Sequence, residues 1–154
     1  MNQQQPWEVI SELLHREQLL ALDEYLQTLP SSDTVRAVFR LTPDEQEKLL
    51  TLLPPESAAD LIDDVPDAQA AELLDNLDPE EAASIVNEMD SDEAADVLAE
   101  MDREDVEEIL SLMDADEAAE ARQLIDFDPE TAGGLMMKEF LSYPGTMTIA
   151  DAVA

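Results

Sequence analysis

Apolar residues recur along the middle of the chain with a period of twelve. Consecutive blocks of this length run without insertion from Leu41 to Leu124, and each block opens on an apolar residue. In the clearest copies positions six, seven, nine and ten are apolar as well, a spacing that places them on one face of a helix. The block that opens at Met89 shows it with Ala94, Ala95, Val97 and Leu98. Each block therefore predicts a short helix of about ten residues and a tight turn.

Position two of most blocks carries a residue that starts helices. Asp78 is followed by Pro79, which is typical of an N-cap with proline at the first helical position. An acid also stands three residues after the cap in several copies, as a capping box requires. The predicted boxes are Asp78 with Glu81, Asp90 with Glu93, and Asp114 with Glu117.

Helices of this length are too short to be stable alone. Stacked copies can bury their apolar stripes against one another, which is how a solenoid is stabilised. We therefore expect an all-α fold, a right-handed solenoid or superhelix of short helices, with a weaker copy of the repeat opening at Leu29. Residues 1–28 lack the repeat, and their two helical stripes predict N-terminal cap helices.

The chain is strongly acidic, with 39 acidic against 7 basic residues and a net charge of −32. Residues 41–127 hold 29 of these acids and only 3 bases. Nucleic acid and anionic lipid are poor partners for such a surface, because both are bound through Lys and Arg. Self-repulsion of this size is relieved by cations or by a basic protein surface. Function by charge is therefore to be sought in the repeats.

Other classes of function find little support in the sequence. The chain has no cysteine and one histidine, His15, without a nucleophile or ligand pattern around it. No apolar run approaches the ~18 residues that cross a membrane, and no signal peptide is visible. The methionines at position one, Met89, Met101 and Met113, fit core packing better than a soft-metal site. We therefore expect a regulatory or binding domain and not an enzyme.

Pairs of carboxylates four residues apart share the helix face opposite the apolar stripe. Such pairs repel each other, and a hard divalent cation shared with oxygens of a second element would offset the repulsion. By pattern alone a solvated acidic face is the better explanation, since the pairs recur in almost every block. The pairs are Asp92/Asp96, Glu56/Asp60, Glu104/Glu108 and Asp116/Glu120.

The pattern changes at two adjacent glycines, Gly133 and Gly134. Residues 128–130 would cap one more helix, but the glycines interrupt it at once. An extended segment at 140–143, a Pro-Gly turn and the start of a helix at Thr148 come next. We therefore predict an acidic helical-repeat domain over 1–127, and a junction with the start of a second domain over 128–154.

The junction resembles that of MgtE-type magnesium transporters. The resemblance lies in the run DPETAGGLM from Asp128 to Met136, followed by Glu139-Phe140 and by TMT at residues 146–148. The run TLLP from Thr51, with AAD ending at Asp60, is similar to the family's N domain. In that family an acidic helical N domain precedes a pair of CBS domains and a transmembrane pore, so residues 128–154 would begin a truncated CBS domain.

The resemblance implies a regulatory function on the cytoplasmic side of the cell membrane. Mg²⁺ would bind between the N domain and the CBS domains and favour a closed pore. The partners would be the CBS domains and pore of the same full-length chain, which would form a homodimer. Residue by residue, the metal ligands fall on Asp92, Asp96 and Asp60, with a backbone carbonyl at Gly134.

A second hypothesis stays open. The chain could be a free-standing acidic helical-repeat scaffold that binds a basic protein partner and needs no metal. The two hypotheses differ in the sequence expected after Ala154, because only the first requires CBS domains and a pore.

Overall fold

The computed structural model describes residues 5–126. Within this range the chain is all-α and contains no strand, as the repeat predicts. The helices are α1 (Pro6–His15), α2 (Leu19–Thr28), α3 (Ser31–Val38), α4 (Pro43–Leu52), α5 (Pro55–Asp63), α6 (Asp67–Asp75), α7 (Pro79–Val86), α8 (Ser91–Ala99), α9 (Arg103–Leu112) and α10 (Ala115–Ile125).

Each twelve-residue block from Leu41 onward forms one helix, α4 to α10. Position two is the N-cap in every copy, with an extended backbone such as φ −62° and ψ 140° at Asp78. Proline takes the first helical position in α4, α5 and α7, where its missing N–H is not needed. The extended backbone at position two therefore marks the start of each of these helices.

The predicted capping boxes are wrong for α7, α8 and α10. The cap side chains Asp78, Asp90 and Asp114 accept no cap hydrogen bond. The acid that would complete the box contacts another helix in two of these cases. Glu81 accepts a hydrogen bond from Thr51, and Glu93 is hydrogen-bonded to Asp63. A complete box forms at α4, where Thr42 N donates to Glu45 Oε2 at 2.9 Å and Glu45 N donates to Thr42 Oγ1 at 3.4 Å.

The apolar stripe forms the core. In α5 to α8 all four predicted positions of each block are buried, including Ala94, Ala95, Val97 and Leu98. Each helix packs on the helix two places further along, so that α5 contacts α7, α6 contacts α8, α7 contacts α9 and α8 contacts α10. Alanine at positions six and seven allows this close approach. The stacking is consistent with the predicted solenoid, whose hand stays a prediction.

The position-one residues lie between successive helices. Met89 and Met101 are buried in the core, and Met113 is half-buried against it. Leu53, Val65 and Leu77 fill the same place in earlier blocks. Core packing of the methionines is thus confirmed.

The first helices pack on the beginning of the repeats. Helix α1 contacts α2, α3 and α4, and the Ser11 hydroxyl donates to the Glu45 carboxylate on α4. This hydrogen bond and that from the Thr42 backbone hold the pKa of Glu45 below its usual value. His15 is exposed, and its Nδ1 lies 2.7 Å from the Ser11 carbonyl oxygen, to which it can donate a hydrogen bond. Its Nδ1 also lies 3.5 Å from Ser11 Oγ and 3.9 Å from Glu45 Oε1, so the ring lies where α1 meets α4.

Several predictions concern residues outside the described range. The glycine pair, the extended segment at 140–143 and the domain boundary at 127/128 all lie beyond Asp126. Among the described helices, none is long and apolar enough to cross a membrane.

Ala95→Arg tests the buried stripe. Ala95 is 4% exposed on α8, so an arginine there places an unpaired charge between helices. We expect the free energy of unfolding to fall by about 3 kcal/mol or more, measured by urea denaturation. Ala99→Arg is the matched control, because Ala99 is exposed on the same helix and gains the same charge. Equal stability of the two variants would contradict a buried stripe.

Candidate functional site

The stacking brings the end of one helix against the start of the helix three places further along. Thr51, near the end of α4, donates its hydroxyl to Glu81 Oε2 on α7 at 3.0 Å. Asn87, the residue after α7, accepts a hydrogen bond at 3.4 Å from the backbone N–H of Asp114, at the start of α10. Side chains about thirty residues apart in sequence are therefore neighbours, and in the acidic repeats many of these neighbours are carboxylates.

Asp63 and Glu93 meet in this way between α5 and α8. Partial burial raises the pKa of Asp63 to about 7, followed by its hydrogen bond to Glu93 and by the negative charges of Glu93, Asp60 and Asp90. A hydrogen bond between two carboxyl groups requires one proton. Asp63 and Glu93 therefore share a proton. They occupy the same position between α5 and α8 that Thr51 and Glu81 occupy between α4 and α7.

A second group of carboxylates lies between α6 and α8. Burial raises the pKa of Asp96, and the charges of Asp67 and Asp92 raise it further. Asp92 Oδ1 is buried and has no hydrogen-bond partner within the described residues. The structure therefore brings the predicted pair Asp92 and Asp96 together and adds Asp67 from the first turn of α6.

The structure places one further predicted ligand, Asp60, on another helix. Asp60 lies on α5 beside Asp63, where its charge raises the pKa of Asp63. It also lines a cleft between α2, α3 and α5 together with Asp23 and Asp64. Gly134 lies outside the described residues.

A third group of carboxylates forms where the end of α6 meets the start of α9. The pKa of Asp75, at the end of α6, is raised by burial and by the charges of Asp105 and Asp102 on and before α9. Pairing at four-residue spacing could not predict Asp63, Glu93, Asp67 or Asp75. For Asp63, Glu93 and Asp75 the signal is the distance of about thirty residues between a helix end and a helix start, whereas Asp67 faces Asp96 on the helix two places further along.

These groups are acidic but not complete metal sites. Among residues 5–126 no three His, Cys, Asp or Glu side chains are arranged to hold a metal ion. The ion pairs within the same range involve acids outside these three groups. One example is Glu107, which pairs with Arg122 at 3.3 Å. The carboxylates of α6 and α8 therefore do not form a complete metal site by themselves.

The chain is similar to known proteins in both sequence and fold. The profile of the MgtE intracellular N domain matches residues 29–130. The structure is similar to the crystal structure of the soluble part of a magnesium transporter, with a TM-score of 0.83 and 27% identity over 96% of this chain. It is also similar to the cytosolic domain of the Mg²⁺ channel MgtE in complex with ATP, with a TM-score of 0.77 and 28% identity over 94% of this chain. The chain spans 59% of each of those two chains. No curated protein matches it.

Asp63→Asn should change how stability depends on pH. Because the folded pKa of about 7 lies above the ordinary aspartate value of 3.8, the folded state holds a proton that the unfolded chain releases. Stability therefore falls as pH rises from about 4 to 7 and does not change further above it. Asparagine removes this loss, which we expect to be about 1–2 kcal/mol after allowing for solvent exposure.

The measurement is urea denaturation of both proteins between pH 4 and 8. Asp64→Asn is the matched control, because it removes the same charge from the adjacent exposed residue. A wild-type slope that Asp63→Asn and Asp64→Asn change equally would assign the effect to general charge repulsion and contradict a shared proton.

Proposed function

The chain belongs to the family of MgtE intracellular N domains, and on that premise we propose that it is the Mg²⁺-sensing regulatory domain of a magnesium transporter. The observation that carries the proposal is the group of Asp67, Asp92 and Asp96 between α6 and α8. It contains a buried carboxylate oxygen without a partner and an aspartate whose pKa is raised by neighbouring negative charge. Such a group is costly without a cation.

Mg²⁺ suits these residues chemically. It binds one or two carboxylates, keeps several waters and accepts further oxygens from a second partner. The described residues alone do not complete a site, which supports a site shared between domains. We propose that Asp92 and Asp96 bind ions together with oxygens of the CBS domains of the full-length chain, in a homodimer on the cytoplasmic side of the membrane.

Regulation then follows from electrostatics. Ions between the two acidic surfaces hold the cytosolic domains together and favour a closed pore. When Mg²⁺ falls, the carboxylates of a domain with net charge −32 repel the facing surface, and the domains separate. Asp60 and the Gly134 carbonyl would supply further ligands of the same interface. An effector of this kind acts through its greater affinity for the closed state.

A scaffold for a basic protein partner is the competing function. The same net charge of −32 favours it, since a basic surface would also relieve the repulsion. It differs from the sensor in needing no metal, so ion titrations separate the two.

Mg²⁺ should stabilise this chain more than Na⁺ does at the same ionic strength. Both ions screen the charge over a Debye length of roughly 8 Å, but only Mg²⁺ can bind the carboxylates directly, which adds stability by mass action. The measurement is the melting temperature in MgCl₂ and NaCl at matched ionic strength, with calorimetry of Mg²⁺ binding. Equal melting temperatures would leave only screening and remove direct binding to the isolated domain.

Asp92→Ala with Asp96→Ala should weaken closing in the intact transporter. The ion bridge loses specific ligands, whereas general repulsion from the many other acids remains. We expect the Mg²⁺ concentration that protects the cytosolic part from proteolysis to rise about tenfold, within the usual range of such couplings. Glu104→Ala with Glu108→Ala is the matched control, because this exposed pair on α9 has the same four-residue spacing. Protection at the parent's Mg²⁺ concentration would make Asp92 and Asp96 ordinary solvated carboxylates.

A further inference from the structure

The turn between α1 and α2 holds the backbone in an unfavourable conformation. Among residues 5–126, Glu17 is the one residue with a positive φ, 53°. The Gln18 N–H donates to the Leu13 carbonyl oxygen at 3.1 Å, and the Glu17 N–H donates to the Leu14 carbonyl oxygen at 3.2 Å. These two hydrogen bonds form a Schellman motif, in which glycine is the usual residue at the position of Glu17. A residue with a Cβ atom is strained there.

One ion pair connects this turn to the repeats. Lys48 Nζ on α4 lies 3.7 Å from Glu17 Oε1. The two side chains are 41% and 75% exposed, and an ion pair in contact with water contributes little stability. The ion pair therefore offsets only a small part of the strain at Glu17.

Helix α2 is weakly attached to the rest of the protein. It packs chiefly against α1, whereas α7 and α8 each pack between two other helices. Leu22 is its one buried residue, and Leu19 and Leu20 are exposed. In the described part of the chain the Gln18 side chain makes no cap hydrogen bond, and the first turn of α2 contains no acid. A helix of ten residues is not stable alone, so the attachment of α2 depends mainly on Leu22.

A cleft of about 230 Å³ separates the end of α2 from α3 and α5. Its apolar lining comes from the half-buried Leu26 and Leu29 and from the buried Leu61. Asp23 on α2 and Asp60 on α5 line the same cleft. Among the residues that the structure describes, no ion pair joins α2 to α5. Neither close packing nor opposite charge therefore holds this side of α2 against the repeats.

We propose that α2 is a flap that opens at Glu17 while the stack of repeats stays folded. Opening releases Glu17 from its left-handed conformation and removes Leu22 from the core. The helix unfolds as it opens, because ten residues do not remain helical alone. Segments with few buried contacts open at a lower free energy than the whole protein unfolds. Opening uncovers the α3 and α5 walls of the cleft, so the flap changes the surface at this end of the stack.

Hydrogen exchange of the full chain tests the flap. In the wild type, backbone amides of residues 22–28 should exchange about tenfold faster or more than the slowest amides of α7 and α8, because local opening needs less free energy than global unfolding. Urea should accelerate exchange of α2 less steeply than exchange of α7 and α8, since opening one helix exposes little surface. Equal rates, or an equal urea dependence, in the three helices would overturn the proposal.

Leu22→Asp separates a flap from an integral part of the core. A charged side chain is too costly to keep in the buried position, so the amides of α2 should lose their protection. Those of α7 and α8 should stay protected by about a hundredfold or more over an unstructured chain. Leu20→Asp is the matched control, because it adds the same charge to the same helix at a position that is 84% exposed, and α2 should stay protected. Loss of protection in all three helices of Leu22→Asp, or in none, contradicts a flap.

Glu17→Gly and Glu17→Ala together isolate the strained turn. Both variants lose the ion pair with Lys48, but only glycine adopts a positive φ without strain. Protection of α2 should therefore be about fivefold higher in Glu17→Gly than in Glu17→Ala, which corresponds to about 1 kcal/mol for one left-handed residue. The same protection of α2 in both variants would show that strain at Glu17 does not drive the opening.

Discussion

Burial of a narrow apolar stripe between helices two places apart is the interaction on which the structure depends. Helices of eight to eleven residues do not persist alone in water, so each owes its stability to its neighbours. Alanine at positions six and seven brings the backbones close, and leucine, isoleucine or valine fills positions nine and ten. This packing also places the end of a helix against the start of the helix three places further along. Side chains at these two ends are therefore neighbours.

That register determines how the acidic charge is distributed. Thr51 donates a hydroxyl to Glu81 at 3.0 Å, which satisfies a carboxylate at no electrostatic cost. The same place holds Asp63 against Glu93 and Asp75 against Asp105, where like charges meet and the pKa values of Asp63 and Asp75 rise. Packing of the core thus holds repelling groups together, and a proton stabilises them, as the raised pKa values of Asp63 and Asp75 indicate.

Much of the fold could be predicted from the sequence. The period of twelve gives the helices, and the stripe gives the buried positions, of which Ala95 and Leu98 are examples. Spacing of four residues correctly places Asp92 beside Asp96. The sequence does not reveal which helices stack, and for this reason Asp67 and the Asp63–Glu93 pair could not be predicted. The same lack bears on the capping boxes of α7 and α8, where the acid three residues after the cap pairs with a side chain of an earlier helix.

Helix α8 carries both the proposed ligands and part of the buried stripe. Asp92 and Asp96 lie on it near Asp67 of α6, and its last turn carries the buried Leu98. Leu98 is two residues from Asp96 and is buried in the core, so a displacement of α8 that moves the carboxylates also moves part of the core. The carboxylates and Leu98 are connected directly, because they are parts of one helix that packs against α6 and α10.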